Sequence, residues 1–161
     1  PVVYIVSNEL DRASKGHVPG RVSELAPIGV AAVRRPVTDA TLITNGAMVQ
    51  PSMEAADVLA KEGVEVEVID LRTLMPFDKA ALFTSIEKTS RLLIVHEDVK
   101  TLGLGSELSA IVAEERFDVL DAPIMRVTYP DTHCPFSQVL EQYNLPDVKK
   151  ITEALRQLAA Y

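Results

Sequence analysis

Apolar and polar positions change period repeatedly along this chain, from short apolar runs to helical spacing and back. Residues 28–33 (IGVAAV) and 41–44 (TLIT) read as strands, the first closed by Arg34-Arg35-Pro36 and the second by Asn45-Gly46. A helix follows, with Pro51 near its start, Met53, Ala56 and Ala60 along one side, and Gly63 where a left-handed cap residue belongs. Residues 64–70 form the third strand. Glu65 and Glu67 alternate there with Val64, Val66 and Val68, which predicts that part of one face meets water. Asp78 can cap a second helix whose buried side carries Leu82 and Ile86.

Residues 92–95 (LLIV) are apolar on both sides, as a central parallel strand should be. A third helix spans residues 104–116, a fifth strand residues 124–127, and a last helix residues 147–159, burying Val148, Ile151, Leu155 and Leu158. The alternation predicts an α/β domain of three layers, α/β/α, around a five-stranded, mostly parallel sheet. Ahead of it, residues 1–6 (PVVYIV) resemble a strand, and residues 7–26 carry Gly, Pro and charge with no period and read as a linker. The opening at Pro1, without Met or a signal-like region, suggests a piece of a longer chain or a processed N-terminus.

Composition narrows the classes. At 161 residues and 47% hydrophobic, the chain makes one domain with an arm. Folding should bury roughly two thirds of the surface exposed when unfolded. A net charge of −7 argues against a nucleic-acid partner, because phosphates need a basic face. No apolar run approaches the roughly 20 residues that cross a bilayer. The single cysteine, Cys134, excludes an intrachain disulfide and fits a reducing compartment, cytoplasmic or mitochondrial matrix.

Candidate chemistry is thin. Gly103 and Gly105 invite a dinucleotide reading, but Leu108 stands where the third glycine belongs and the turn follows a late strand. These glycines suit a tight turn, with an anion at the helix start, or at Asn45-Gly46, as the functional alternative. His96-Glu97-Asp98-Val99-Lys100 begins like a zincin motif, yet Lys100 replaces the second ligand. His96 reads instead as a polar strand end facing a cleft or partner. His17, His96, His133 and Cys134 show no ligand spacing, so no metal is expected. Cys134 and His133 are adjacent in a stretch between Pro130 and Pro135 that reads as an extended loop, where neighbours point apart, which speaks against a thiol nucleophile. The residues by themselves describe an α/β domain without a complete active site, and a free-standing small-molecule or anion-binding domain is one reading of it.

Five segments add a resemblance. TLITNGAMV, VEVEVIDLRTLMPFD, RLLIVHEDVKTLGLGSEL, LDAPIMRVTYPDTHCPF and YNLPDVKKITEALRQLAAY occur in that order. Together they resemble the C-terminal half of a 2-oxo acid dehydrogenase beta subunit, within the transketolase-like thiamine diphosphate enzymes. The resemblance covers residues 27–161 as a transketolase C-terminal-like domain. It implies strand order 1-3-2-4-5 with strand 1 antiparallel. Residues 1–6 are then similar to the last strand of the preceding domain and residues 7–26 to its connection. The implied parent decarboxylates a 2-oxo acid on thiamine diphosphate, with Mg, and then acylates a lipoyl group. That cofactor lies between two other domains, so this chain is expected to bind none by itself and to supply no catalytic residue. Implied partners are the alpha subunit, a second beta subunit and the subunit-binding domain of the dihydrolipoyl acyltransferase. Asp121 and Tyr161, the latter with its free carboxylate, carry over as anions for docking a basic helix, since Arg pairs bidentately with carboxylates. Taken alone, Asp121 is equally a turn residue before Ala122-Pro123, and Tyr161 a frayed terminus. The sequence departs from the family pattern twice. The pyrimidine-binding domain, source of the glutamate that activates the cofactor, is missing. The family's TGGFG reads TLGLG, placing Leu102 at a glycine position whose conformations Leu is not expected to take.

Overall fold

Successive residues of a strand point to opposite faces, and in strand β2 (Ala40–Thr44) Leu42 enters one core while Ile43 enters another. The computed structural model, which describes residues 2–7, 10, 20 and 25–161, places β2 in the middle of a five-stranded sheet. Its order is β1-β3-β2-β4-β5, where β1 is Ala32–Arg35, β3 Val66–Asp70, β4 Leu92–Val99 and β5 Met125–Tyr129. β1 runs antiparallel to β3, and the remaining neighbours are parallel. Order and direction are those the resemblance implies.

Helices α1 (Val49–Ala60), α2 (Lys79–Thr89), α3 (Leu104–Glu115), α4 (Gln138–Asn144) and α5 (Val148–Ala159) accompany the sheet. Leu59 of α1 and Ile151, Leu155 and Leu158 of α5 close one face over Leu42, Val68 and Leu93. On the other face Leu82 and Ile86 of α2 and Leu108 and Val112 of α3 close over Ile43, Ile69 and Ile94. Asp78 caps α2 by accepting from the Ala81 amide at 3.0 Å, and Asp147 caps α5 by accepting from Lys150 at 2.7 Å. Gly63 lies beyond α1 at φ +86, as expected of a left-handed terminator.

Several expectations need correction. The first strand begins at Ala32 rather than residue 28, because Gly29 turns the chain at φ +79. The Gly29 amide donates to Thr73 Oγ1 (3.1 Å) and the Ala31 amide to Asp78 Oδ2 (3.0 Å), bonds that reach across 44 and 47 positions and that no local pattern encodes. Glu67 does not meet water. It is 3% exposed, pairs with Lys88 and accepts from the Val37 amide, which satisfies a buried carboxylate that alternation alone would have placed outside. A short 3-10 turn, Gly46–Met48, is added ahead of α1, while Pro51 lies near the start of α1 as expected, at its third residue, where no intrahelical donor is lost. Helix α4 follows the Pro130–Pro135 loop without sequence warning; it is seven residues long and buries none of them. Residues 2–6 are exposed and belong to no strand. Pro1, His17 and most of the 7–26 linker lie outside the described residues, although Leu10 packs against the α1–α5 core.

Candidate docking groove

The stretch before β5 is held at one point and exposed beside it. The Asp121 amide donates to the Ser90 carbonyl at 2.9 Å, and Ser90 is itself the left-handed C-cap of α2, at φ +55. Ala122 next to it is buried, which turns the Asp121 side chain to the outside. That carboxylate makes no hydrogen bond to any described residue. At the other end of the chain, buried Leu158 anchors the last turn of α5, and Tyr161 is exposed just beyond it.

These two ends meet. Asp121 and Tyr161 line one groove of about 510 Å³, together with Ser109 and Ala113 of α3 and with Phe117, Leu120 and Ile124. Asp121 thus sits beside carbon-rich walls, and Phe117 is largely exposed there. Such a surface suits an aliphatic side chain flanked by a cation, because apolar burial supplies area while the charge fixes orientation. Sequence reasoning singled out Asp121 and Tyr161 only through resemblance. It missed the apolar lining, whose one local signal is Phe117 and Leu120 at the polar end of α3.

The carboxyl end of β4 differs from its expected role. His96 is 2% exposed, so it is covered rather than presented to a cleft. Its Nε2 accepts from the Gly105 amide at 3.0 Å, which leaves the neutral ring's proton on Nδ1. Nδ1 lies toward the Asp98 backbone, outside hydrogen-bond geometry. Burial, the largest influence, holds this imidazole below the ordinary histidine range; the Asp98 charge opposes that shift and the Arg126 charge adds to it. The two glycines of this turn are sterically required: a Cβ on Gly103 would stand 2.2 Å from the Val99 carbonyl, and one on Gly105 2.5 Å from His96 Nε2. Leu102, contrary to expectation, does adopt the glycine-like conformation, at φ +60. The hydroxyl and amide of neighbouring Thr101 both donate to Asp131, which fixes the loop and holds that carboxylate below its usual range.

These contacts also bear on the other candidate sites. With the Gly105 amide given to His96 and the Ser106 amide to Gly103 O, the start of α3 has two fewer donors for an anion. At Asn45-Gly46 the Glu97 carboxylate comes within 3.9 Å of where a Gly46 Cβ would be, which disfavours an anion there. Among the described residues no three His, Cys, Asp or Glu side chains gather as a metal site, and none of the helices is long and apolar enough to cross a membrane. Cys134 and His133 share no hydrogen bond.

Residues 29–151 match the family described as Transketolase, C-terminal domain. The chain belongs to that family. Among similar proteins, the acetoin:2,6-dichlorophenolindophenol oxidoreductase subunit beta of Bacillus subtilis (strain 168) is 40% identical over 156 residues, covering 97% of this chain and 45% of that protein. The pyruvate dehydrogenase E1 component subunit beta of Staphylococcus epidermidis is 44% identical, covering 95% and 46%. The 2-oxoisovalerate dehydrogenase subunit beta of B. subtilis is 38% identical, covering 100% and 49%. A solved structure described as a split gene transketolase, inactive beta4 tetramer, superposes with a TM-score of 0.75 at 24% identity, over 84% of this chain and 44% of that one. This transketolase C-terminal domain therefore spans just under half the length of the curated relatives it matches.

Proposed function

We propose that this transketolase C-terminal domain is the assembly and docking part of a 2-oxo acid dehydrogenase beta subunit. The subunit as a whole decarboxylates a 2-oxo acid on thiamine diphosphate and passes the acyl group to lipoyl chains. In this reading residues 1–6 are the last strand of the cofactor-binding domain before it, and residues 7–26 are the connection. The alpha subunit and a second beta subunit complete the active site. Thiamine diphosphate and its Mg belong outside these residues. The domain works in the cytoplasm, or in the matrix of a mitochondrion.

The observation that carries the reading is the meeting of Asp121 and Tyr161 in one apolar groove. The occupant is the subunit-binding domain of the dihydrolipoyl acyltransferase, whose basic side chains pair with the Asp121 carboxylate while its apolar side chains pack against Tyr161 and the rest of the groove. Charge pairs at such a rim speed encounter and lose strength with salt, whereas the apolar floor does not. Titration calorimetry with the isolated subunit-binding domain tests this. Asp121→Ala should weaken binding by roughly tenfold or more, the loss of one charge-assisted pair, and deletion of Tyr161 should weaken it by removing part of the groove wall. Unchanged affinity in both variants would remove these residues from the interface. A melting temperature raised by inorganic phosphate or diphosphate would favour the free-standing anion-binding reading instead.

A further inference from the structure

We propose that His96 is an acid-released latch on the first turn of α3, and through it on the α3 wall of the docking groove. Its geometry is independent of the docking reading; only its consequence for a partner rests on that reading.

Gly105 is gripped from both sides. Its amide donates to His96 Nε2 at 3.0 Å, and its carbonyl accepts from Ser109 Oγ at 2.6 Å. Ser109, with Ala113 one turn later, lines the groove. The path from the buried imidazole to the groove wall is therefore one residue and two hydrogen bonds. The rest of the turn is held separately. Ser106 N donates to Gly103 O, Ser106 Oγ to Lys100 O, and Arg126 Nη1 to both Ser106 Oγ (2.8 Å) and Lys100 O (3.0 Å). Losing the His96 contact would thus loosen the start of α3 without unfolding the loop.

Protonation is what breaks that contact. A doubly protonated ring presents N–H at both nitrogens, so Nε2–H would face the Gly105 N–H donor to donor, buried, at hydrogen-bond distance. The ring must turn away or the helix turn must open. The charged groups acting on the ring are Asp98 on its own strand, which favours protonation, and Arg126 on β5, which opposes it. In the turn into α3, Gly103 and Gly105 lie against the ring. Because burial lowers the folded-state value below the unfolded one of about 6.5, the open form takes up the proton more readily. The latch is fully closed above about pH 6.5 and is lost as pH falls from there through the lower folded-state value.

The test is amide exchange measured by NMR on the full chain between about pH 7.5 and 5.5, with α5 amides as internal reference. In the wild-type chain, protection at Gly105 should fall as the pH drops below about 6.5, by at most about tenfold per pH unit. His96→Gln keeps an acceptor but cannot titrate, and its protection should stay flat. Affinity for the subunit-binding domain should fall with acid in the wild type and stay level in the variant. Constant wild-type protection at Gly105 across this range would overturn the latch. Should His96→Gln fail to fold, the His96 ring signals decide: titration at an ordinary histidine value with Gly105 still protected would equally overturn it. Acid-dependent protection with no binding at any pH would support the latch and defeat the docking reading, so the two can fail separately.

Discussion

Leu102 holds a left-handed backbone at φ +60 and is 94% exposed, so its side chain repays none of the strain by packing. A non-glycine residue there costs about 1–2 kcal/mol, while glycine would add about 0.5–1 kcal/mol of unfolded-chain freedom. The first effect is the larger. Leu102→Gly should therefore stabilise the isolated domain by about 0.5–1 kcal/mol, read as a higher urea midpoint at unchanged slope. A lower midpoint would mean that Leu102 earns its place through packing after all. The neighbouring glycines differ in kind, since Gly103 and Gly105 have no room for a Cβ against Val99 O and His96. Three positions of the TLGLG loop thus answer to separate constraints: backbone conformation at 102, crowding by a carbonyl at 103, and the close approach of an imidazole at 105.

Between elements, polar pegs join layers that the apolar pattern alone leaves free to slide. Thr41 of β2 sits with Ser85 and Thr89 of α2 in a buried trio, its Oγ1 at 2.6 Å and 2.7 Å from the two hydroxyls. Thr89 has a further acceptor in the Arg91 carbonyl (3.3 Å), but Ser85 depends on Thr41. Thr41→Val keeps the shape and removes the shared oxygen, leaving Ser85 buried and unpaired at a cost of about 1–3 kcal/mol. Adding Ser85→Ala should restore part of this, a coupling that a double-mutant cycle in urea would detect. Strictly additive effects would show that the trio contributes nothing as a unit. This trio was invisible in the sequence, where hydroxyls on a helix read as surface. So was the burial of Glu67, because its partner Lys88 lies on another element. Helix α5 was legible throughout, since Ile151, Leu155 and Leu158 repeat at helical spacing and its cap is local. The start of β1 was misplaced for the opposite reason: Thr73 and Asp78 decide it from far along the chain. The groove shows the same division. Resemblance could point to Asp121 and Tyr161, but only the fold brings the end of α5 beside the entry to β5.

At the scale of the molecule, the sheet and its two cores are closed by residues from 31 onward, apart from the contact of Leu10. Residues 2–6, VVYIV, lie outside that arrangement. They are uncharged, mostly β-branched and exposed, which makes them an open template for pairing with another strand. The relatives extend over about twice this length, and in the reading proposed above this segment finds its partners in a neighbouring domain. Without that domain it should pair with a second copy. The chain should then show a mass per particle above its own 17.6 kDa in light scattering, rising with concentration. A version starting at Ala26 should scatter as a monomer while keeping the far-ultraviolet spectrum of the sheet and helices. The direction of the difference is informative, because a net charge of −7 opposes association and salt screens that repulsion. Added salt should therefore strengthen self-association of the full chain, the reverse of its effect on the charge pairs at the groove. If both versions scatter alike at every salt concentration, residues 2–6 do not drive association, and the proposal that they are a displaced strand loses its support.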